Sequence, residues 1–306
     1  MIKPNKIINF MAVRRSMAIL SIALVLASIA SIAYNGLVLG FDFTGGTQAE
    51  VFFEEAPNLE ELREKLAAAG YENPVVVQFG SERDILVRMQ DVLEEGGADT
   101  LLGVLGAPEV ELEIKRLELV GPQVGEELRD AGGLGLLAAL LVIMLYVAIR
   151  FQYKFAVGTV VGLIFDVIIT LGLFTLFRLE FDLTVLAAFL AVIAYSLNDT
   201  IVVFDRIREN FRLIREATVL EVMNESMTQV LERTIITSLT TILVLLALLF
   251  LGGDMVRNFS IVLIIGIVVG TFSTLFVAST VTLAMHLKRE DLLPPKREEE
   301  EEHALP

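Results

Sequence analysis

Cysteine is missing from this 306-residue sequence, which excludes disulfide frameworks and thiolate metal sites. Histidine is nearly missing, with only His286 and His303. One sits near the end of an apolar run and the other in a charged tail, so neither a structural metal site nor a Ser-His-Asp hydrolase is expected. A phosphate-binding loop is lacking as well. The stretch "FTGGTQ" at 43–48 has no GKS or GKT ending, so the chain is not expected to hydrolyse ATP. Positive charge is scarce, 24 Lys and Arg against 39 Asp and Glu. Residues 42–130 hold 21 of the acids and 7 of the bases, which makes this segment a poor partner for nucleic acid.

Apolar sequence is abundant. Hydrophobic residues make up 55% of the chain and mean hydropathy is +0.68, more than a water-soluble surface allows. Charged residues still reach 21%, so the apolar ones must be gathered in blocks. Six blocks are long enough to cross a bilayer as helices: 17–37, 131–149, 155–177, 183–204, 234–251 and 259–287. Inside the first, "LASIASIA" mimics a cleavage site, but the apolar run is longer than a signal peptide requires, so it is expected to remain as a span. This pattern predicts a polytopic α-helical membrane protein with six transmembrane helices.

Orientation follows from Lys and Arg in the short connections. Lys3, Lys6, Arg14 and Arg15 precede the first span. Arg150 and Lys154 join the second to the third, and Arg206, Arg208, Arg212 and Arg215 join the fourth to the fifth. Lys288, Arg289, Lys296 and Arg297 follow the last. The opposite turns hold only Arg178 and Arg257. Both termini are therefore expected in the cytoplasm, with the acidic insertion outside.

That insertion reads as a small α+β domain. "FDFTGGTQAEVFFE" is strand-like with a turn at Gly45-Gly46. Asn58 is placed to cap "LEELREKLAAAG", which stops at Gly70. "PVVVQFG" and "DILVRMQ" form a hairpin across "SER", "DTLLGVLG" is a short helix, and "VELEIKRLELVG" alternates with period two. The order β-α-β-β-α-β predicts a ferredoxin-like unit. The expected divisions are 1–40 (N-terminus and first span), 41–130 (outside domain), 131–289 (remaining five spans) and 290–306, a charged, solvated tail.

Ionisable residues inside spans are functional candidates by default. Asp166, Asp199 and Arg233 qualify, Asp166 lying about 16 Å along its helix at the usual rise. Residues four apart share a helix face. That spacing sets Tyr195, Val192 and Ala188, with Ser196, near Asp199. It sets Gly158, Gly162 and Thr170 with Asp166, and Thr237 and Thr241, beside Thr240, with Arg233. The three stripes are expected to meet in a polar seam. An acid in such a seam, approached and left by a guanidinium, would exchange a proton and couple it to a change of shape. Three blander roles stand beside this one. Asn198-Asp199 would cap a following helix, Arg233 would reach for an interface, and Asp166 would only bond a neighbouring helix. Gly266 and Gly270, and the glycines of "AGGLG", are read as close-packing positions.

Four stretches, "GLVLGFDFTGGTQAEV", "VGPQVGEELRDAG", "AYSLNDTIVVFDRIRENFR" and "ERTIITSLTT", together resemble the SecF half of the bacterial SecD–SecF translocation accessory family. The likeness runs in order over nearly the whole chain. It implies a resistance-nodulation-division (RND) type half of six spans with a ferredoxin-like periplasmic domain, in the bacterial inner membrane. It also implies pairing with SecD about a pseudo-two-fold axis, association with SecYEG and YajC, and use of the proton gradient to finish export of unfolded preproteins after SecA. Protons would be the coupling ion, with no cofactor. By motif, the acid of "SLNDT" is Asp199, the base of "ERTIITS" is Arg233, and the third-span acid is Asp166 in "FDVIITLG". Tyr195, Ser196, Asn198, Thr237 and Thr241 would support them. Asp42, with Gly45 and Gly46, belongs to the motif leaving the first span and is read as structural or interface-forming. Ala194 departs from the glycine common there, which touches only local packing. Two other readings are a half-transporter of lipids or small molecules and a non-conducting scaffold. The single small outside domain and the lack of an internal repeat speak against the first.

Overall fold

The computed structural model describes residues 7–71, 74–91, 93, 97–106, 112–214 and 216–287. A 3-10 turn at Phe10–Val13 leads into α1 (Arg14–Asn35), followed by β1 (Val38–Leu39) and a one-turn helix, α2 (Phe41–Thr44). Next come β2 (Gly46–Phe53), α3 (Leu59–Ala68), β3 (Val75–Phe79), β4 (Ser81–Met89), α4 (Gly97–Leu105) and β5 (Leu112–Val120). Then α5 (Pro122–Arg150), α6 (Tyr153–Leu176), β6 (Glu180–Phe181), α7 (Leu183–Leu213) and α8 (Val219–Leu251) follow. The last span is α9 (Arg257–Phe272), a π-helical segment (Ser273–Ala278) and α10 (Ser279–Ala284). The charged tail, Lys3, Lys6, Arg215, Lys288, Arg289, Lys296, Arg297 and His303 lie outside the described residues.

Six helices among the described residues are long and apolar enough to cross a membrane. They sort into two sets. The apolar windows of α6, α7 and the α9–α10 span are 56%, 44% and 50% buried, against 11%, 6% and 17% for α1, α5 and α8. The first set is therefore the bundle's inside and the second its edge. Small residues let the inner helices touch. A Cβ on Gly266 of α9 would lie 2.1 Å from Val192 Cγ2 on α7, and one on Gly158 of α6 would lie 2.1 Å from Thr282 Oγ1 on α10. Such closeness matters where lipid tails are as apolar as the side chains and packing must drive association.

Several helices run past the apolar blocks. α5 begins at Pro122 rather than 131, α7 continues to Leu213 rather than 204, and α8 begins at Val219 rather than 234. Apolar runs mark only the part of a helix that meets lipid, whereas caps mark its ends. Pro122 opens α5 at a position where a missing N–H costs nothing. Thr218 and Glu221 form a reciprocal capping box on α8, the Thr218 hydroxyl accepting from Glu221 N at 3.3 Å. The extensions of α7 and α8 fold back as a hairpin closed by Phe211, Val222 and Met223. Asn210 Nδ2 donates to Ser226 Oγ at 2.8 Å across it. Because α7 is continuous through this region, Asn198-Asp199 caps no following helix.

The sheet domain has the expected order, β2-α3-β3-β4-α4-β5, with its four strands arranged β3-β4-β2-β5 and all pairs antiparallel. Alternation places Ala49, Val51 and Phe53 of β2 and Ile85, Val87 and Met89 of β4 on one buried face, under Leu62, Leu66, Leu101 and Leu105 of the two helices. Asn58 caps α3 by accepting from Glu60 N at 3.0 Å, and Gly70 follows that helix at φ +97.

Some details differ from expectation. "FDFT" is the helical turn α2, not a strand, and Gly45 and Gly46, the latter opening β2, reverse the chain at φ +74 and +132. At Gly46 a Cβ would meet Met89 O at 2.1 Å, so only glycine fits. The hairpin turns at Gly80 (φ +80), and Ser81–Arg83 already belong to β4. Residues 122–130 already form the first turns of α5. β1 and β6 form a parallel pair, Val38 with Glu180 and Leu39 with Phe181, too short for any periodicity to reveal.

Candidate functional site in the helix bundle

Asp166 lies on the glycine stripe of α6 and is wholly buried. Gly270 of α9 admits Ser196 of α7, its would-be Cβ 3.0 Å from Ser196 Cβ. Ser196 is thereby pressed towards α6, where its hydroxyl donates to Asp166 Oδ2. Ser273, first residue of the π-helical segment, faces the same carboxyl. Asp166 Oδ1 and the hydroxyl of Thr170, one turn on, have no hydrogen-bond partner among the described residues.

Asp199 leaves α7 in another direction. Its Oδ1 accepts from Thr234 Oγ1 on α8 at 2.8 Å, while its Oδ2 has no partner among the described residues. The neighbouring Thr200 shares a bond with Thr274 of the π-helical segment at 2.8 Å. Thus α7 carries one acid of its own and, through Ser196, holds a second on α6. Each carboxyl has one oxygen engaged by a hydroxyl. π-helical turns inside α-helices recur at functional sites, and this one faces Asp166 through Ser273 and meets Thr200, the residue after Asp199, through Thr274.

The α8 side corrects the spacing argument. Arg233 is exposed, and among the described residues no ion pair joins it to Asp199. Thr237 and Thr241 spend their hydroxyls on their own helix, Thr237 on Arg233 O at 2.9 Å and Thr241 on Thr237 O at 2.9 Å. Asn198 is exposed as well. The α8 residues that do face α7 are Thr234 and Ser238, both buried. Tyr195 OH donates to Ser238 Oγ at 3.4 Å, and Ser238 meets Thr271 of α9 at 3.2 Å. The signal for them was present: Thr234 and Ser238 stand four apart in "ERTIITSLTT", one position round from Arg233. Arg233, Asn198 and Thr237 are instead exposed, on a face that the described residues leave uncovered, although the Arg233 charge still reaches Asp199 electrostatically.

Asp42 serves structure. Its Oδ2 accepts from Leu183 N at 2.9 Å, beside Asp182, whose Oδ1 accepts from Val185 N at 2.8 Å. Two carboxylates thus satisfy the N-terminus of α7 and tie it to the exit of α1. Nearby, Arg88 of β4 reaches Gln48 Oε1 at 2.8 Å and Glu180 Oε1 at 4.0 Å. This joins the helix-free face of the sheet to the α6–α7 turn. Burial pushes the Glu180 carboxyl above its ordinary 4.5; Arg88 pulls it down and Asp182 and Asp42 push it up.

Residues 104–288 match the family described as "Protein export membrane protein SecD/SecF, C-terminal". The protein translocase subunit SecF of Pseudomonas aeruginosa is 48% identical over 293 residues, covering 94% of this chain and 95% of that one. The chain belongs to the SecF family. The SecF of Escherichia coli O157:H7 is 45% identical, covering 90% of this chain and 87% of its own. Among solved structures, the crystal structure of SecDF, a translocon-associated membrane protein from Thermus thermophilus, superposes with a TM-score of 0.79 at 37% identity. That match covers 92% of this chain and 39% of the other. A SecDF structure in a super-membrane-facing form gives 0.73, also at 37% identity, over 95% of this chain and 40% of that one. The chain therefore spans about two-fifths of the solved SecDF chains. Asp166, Asp199 and Arg233 all fall inside the matched SecD/SecF segment, and the SecF relatives extend the likeness to the first span and the sheet domain.

Proposed function

We propose that this SecF-family chain is a proton-coupled half of a SecD–SecF assembly that uses the proton-motive force to help preproteins finish crossing the bacterial inner membrane. In this reading it pairs with SecD, works beside the SecYEG channel and YajC after SecA has acted, and hydrolyses no ATP itself. Both termini are cytoplasmic and the ferredoxin-like domain is periplasmic, as the basic connections suggest. The observation that carries the reading is the pair of buried carboxyls flanking α7, each with one oxygen held by a hydroxyl and the other without a partner among the described residues. Groups of this kind at membrane depth are suited to take up and release protons.

Arg233 supports the reading in a second way. A guanidinium facing out of a bundle at lipid depth is costly unless another protein surface meets it. A SecD half lying on the α7–α8 face would supply that surface, and with it a route by which Arg233 approaches or leaves Asp199. Movement of that kind would link protonation to the relative position of the two halves, with about 2.3 kcal/mol available per charge per 100 mV of potential.

The test is Asp199→Asn in the full assembly. Inverted membrane vesicles carrying it should complete preprotein export at the same low rate with or without a proton gradient, while binding of SecD is kept. Export that still speeds up when a gradient is imposed would leave the chain as a scaffold.

A further inference from the structure

On the side of the basic connections, the ends of α5 and α7 enclose a cleft of about 380 Å³ lined by Arg150, Asp205, Arg208, Glu209, Arg212 and Leu213. Three guanidinium groups line this one space, an arrangement that like-charge repulsion opposes unless something holds it. Two features do. Phe151, buried under the cleft, has the Arg150 guanidinium 5.3 Å and that of Arg208 5.7 Å from its ring centroid, a cation–π arrangement on one ring. Asp205 then accepts from both, at 3.2 Å from Arg150 and 3.4 Å from Arg208. One carboxylate thus organises two cations and cancels only one of them.

Among the described residues the remaining charge is not neutralised. Glu209, which also lines the cleft, is already engaged at 2.6 Å by Arg206, a cation from outside the lining. Among the described residues no carboxylate pairs with Arg212, which lies one turn beyond Arg208 and is exposed. A guanidinium has five N–H donors, so most donors of this trio stay open to the cleft. Their planar forks match an oxyanion with several oxygens, above all phosphate.

The surroundings indicate what carries that phosphate. Leu141, Leu145 and Ile149 stand four apart on α5 and are more than half exposed. They make an apolar track that ends at Arg150. Leu213, also exposed, continues the apolar edge on α7. This is the layout of a lipid: acyl chains along a spanning helix, headgroup at its basic end. We propose that the Arg150–Arg208–Arg212 cleft binds the phosphate of an anionic phospholipid headgroup whose chains lie along α5. The site is separate from the acids of the bundle and does not depend on proton coupling.

The experiment uses the full chain purified in detergent and equilibrated with equal amounts of phosphatidylglycerol and phosphatidylcholine, retained lipid being counted by native mass spectrometry. The wild-type chain should keep phosphatidylglycerol preferentially. Arg212→Gln, which touches neither Phe151 nor Asp205, should keep the fold and weaken phosphatidylglycerol retention about five-fold. Arg150→Gln with Arg212→Gln should weaken it about thirty-fold, the scale expected for one and two surface basic residues. Arg129→Gln, at the opposite end of α5, should change nothing. Inorganic phosphate, tested on the lipid-free chain, should bind no more tightly to wild type than to the double variant. Tight phosphate binding that the double variant loses would give the cleft to a soluble phosphate and overturn the lipid assignment. Equal phosphatidylglycerol retention by wild type and double variant would overturn the site altogether.

Discussion

Single residues in this chain are constrained by how near a neighbour stands. At Gly266 the first added carbon would fall 2.1 Å from Val192 Cγ2. Val192 is β-branched and has essentially one rotamer on a helix, so it cannot swing aside. Gly266→Ala should therefore lower stability by about 1–3 kcal/mol, the usual range for overpacking, read as a lower unfolding temperature in detergent. Adding Val192→Ala should recover most of the loss. A variant as stable as wild type would mean that α7 and α9 are not in this contact. Glu180 shows the electrostatic side of the same scale. Its pKa is raised in the folded chain, mainly by burial, so the folded state holds the proton over a range in which the unfolded chain has lost it. The sign follows: this residue's contribution to stability is greatest below about pH 4.5 and falls as pH rises through the window up to the raised value. Stability followed from pH 4 to pH 8 should lose less in Glu180→Gln than in wild type, and parallel curves would refute the assignment.

At the scale of elements, hydropathy carried a great deal. The six apolar blocks correspond to six spanning helices, and strand alternation with Asn58 and Gly70 gave the ferredoxin-like unit in its right order. The misses have physical causes. Apolar blocks report contact with lipid, so they could not show that α7 and α8 extend as a polar-capped hairpin. Thr218 and Glu221 in "TVLE" were the available cue. Alternating Phe, Asp, Phe and Thr give α2 the pattern of a strand, yet two left-handed glycines follow it directly. In the candidate site, the stripe on α6 meets α7 through Asp166 and Ser196, whereas on α8 Thr234 and Ser238, one position round from Arg233, are the residues that meet α7. An arginine attracts attention as a charge, but on an edge helix it is the smaller Thr234 that fits inward. The cap is open to test. Thr218→Ala removes the hydroxyl that accepts from Glu221 N, leaving the backbone N–H of residue 218 on the Glu221 carboxylate, and should cost about 1 kcal/mol, seen as faster amide exchange in the first turn of α8. Unchanged exchange there would show the hairpin to be held by its apolar contacts and the Asn210–Ser226 bond rather than by the cap.

The whole molecule poses a question of coupling: how a small sheet domain is fixed to a membrane bundle through so few contacts. The helix-free face of the sheet offers Gln48, Leu86, Arg88 and Glu118. Leu86 is buried, and the face is set against Met255 and the α6–α7 turn. Gln48 bonds both Arg88, at 2.8 Å, and Glu118, at 3.2 Å, so Arg88 is held in place before it reaches Glu180. Glu180 in turn belongs to β6, paired with β1 at the exit of α1. A pull on the sheet domain would thus pass to the ends of α1, α6 and α7, and α6 and α7 carry the buried acids. If that route is real, Arg88 and Glu180 must be energetically linked despite a separation of 4.0 Å. A double-mutant cycle with Arg88→Ala and Glu180→Gln should give a coupling of about 1 kcal/mol, within the range for residues sharing a network, measured as protection of the 36–46 connection from proteolysis. Arg88→Ala alone should be the more damaging change, because it leaves a partly buried carboxylate with Asp42 and Asp182 nearby and no cation. Strict additivity would mean that the domain is carried by apolar contact at Leu86 and Met255 and that Arg88 transmits nothing.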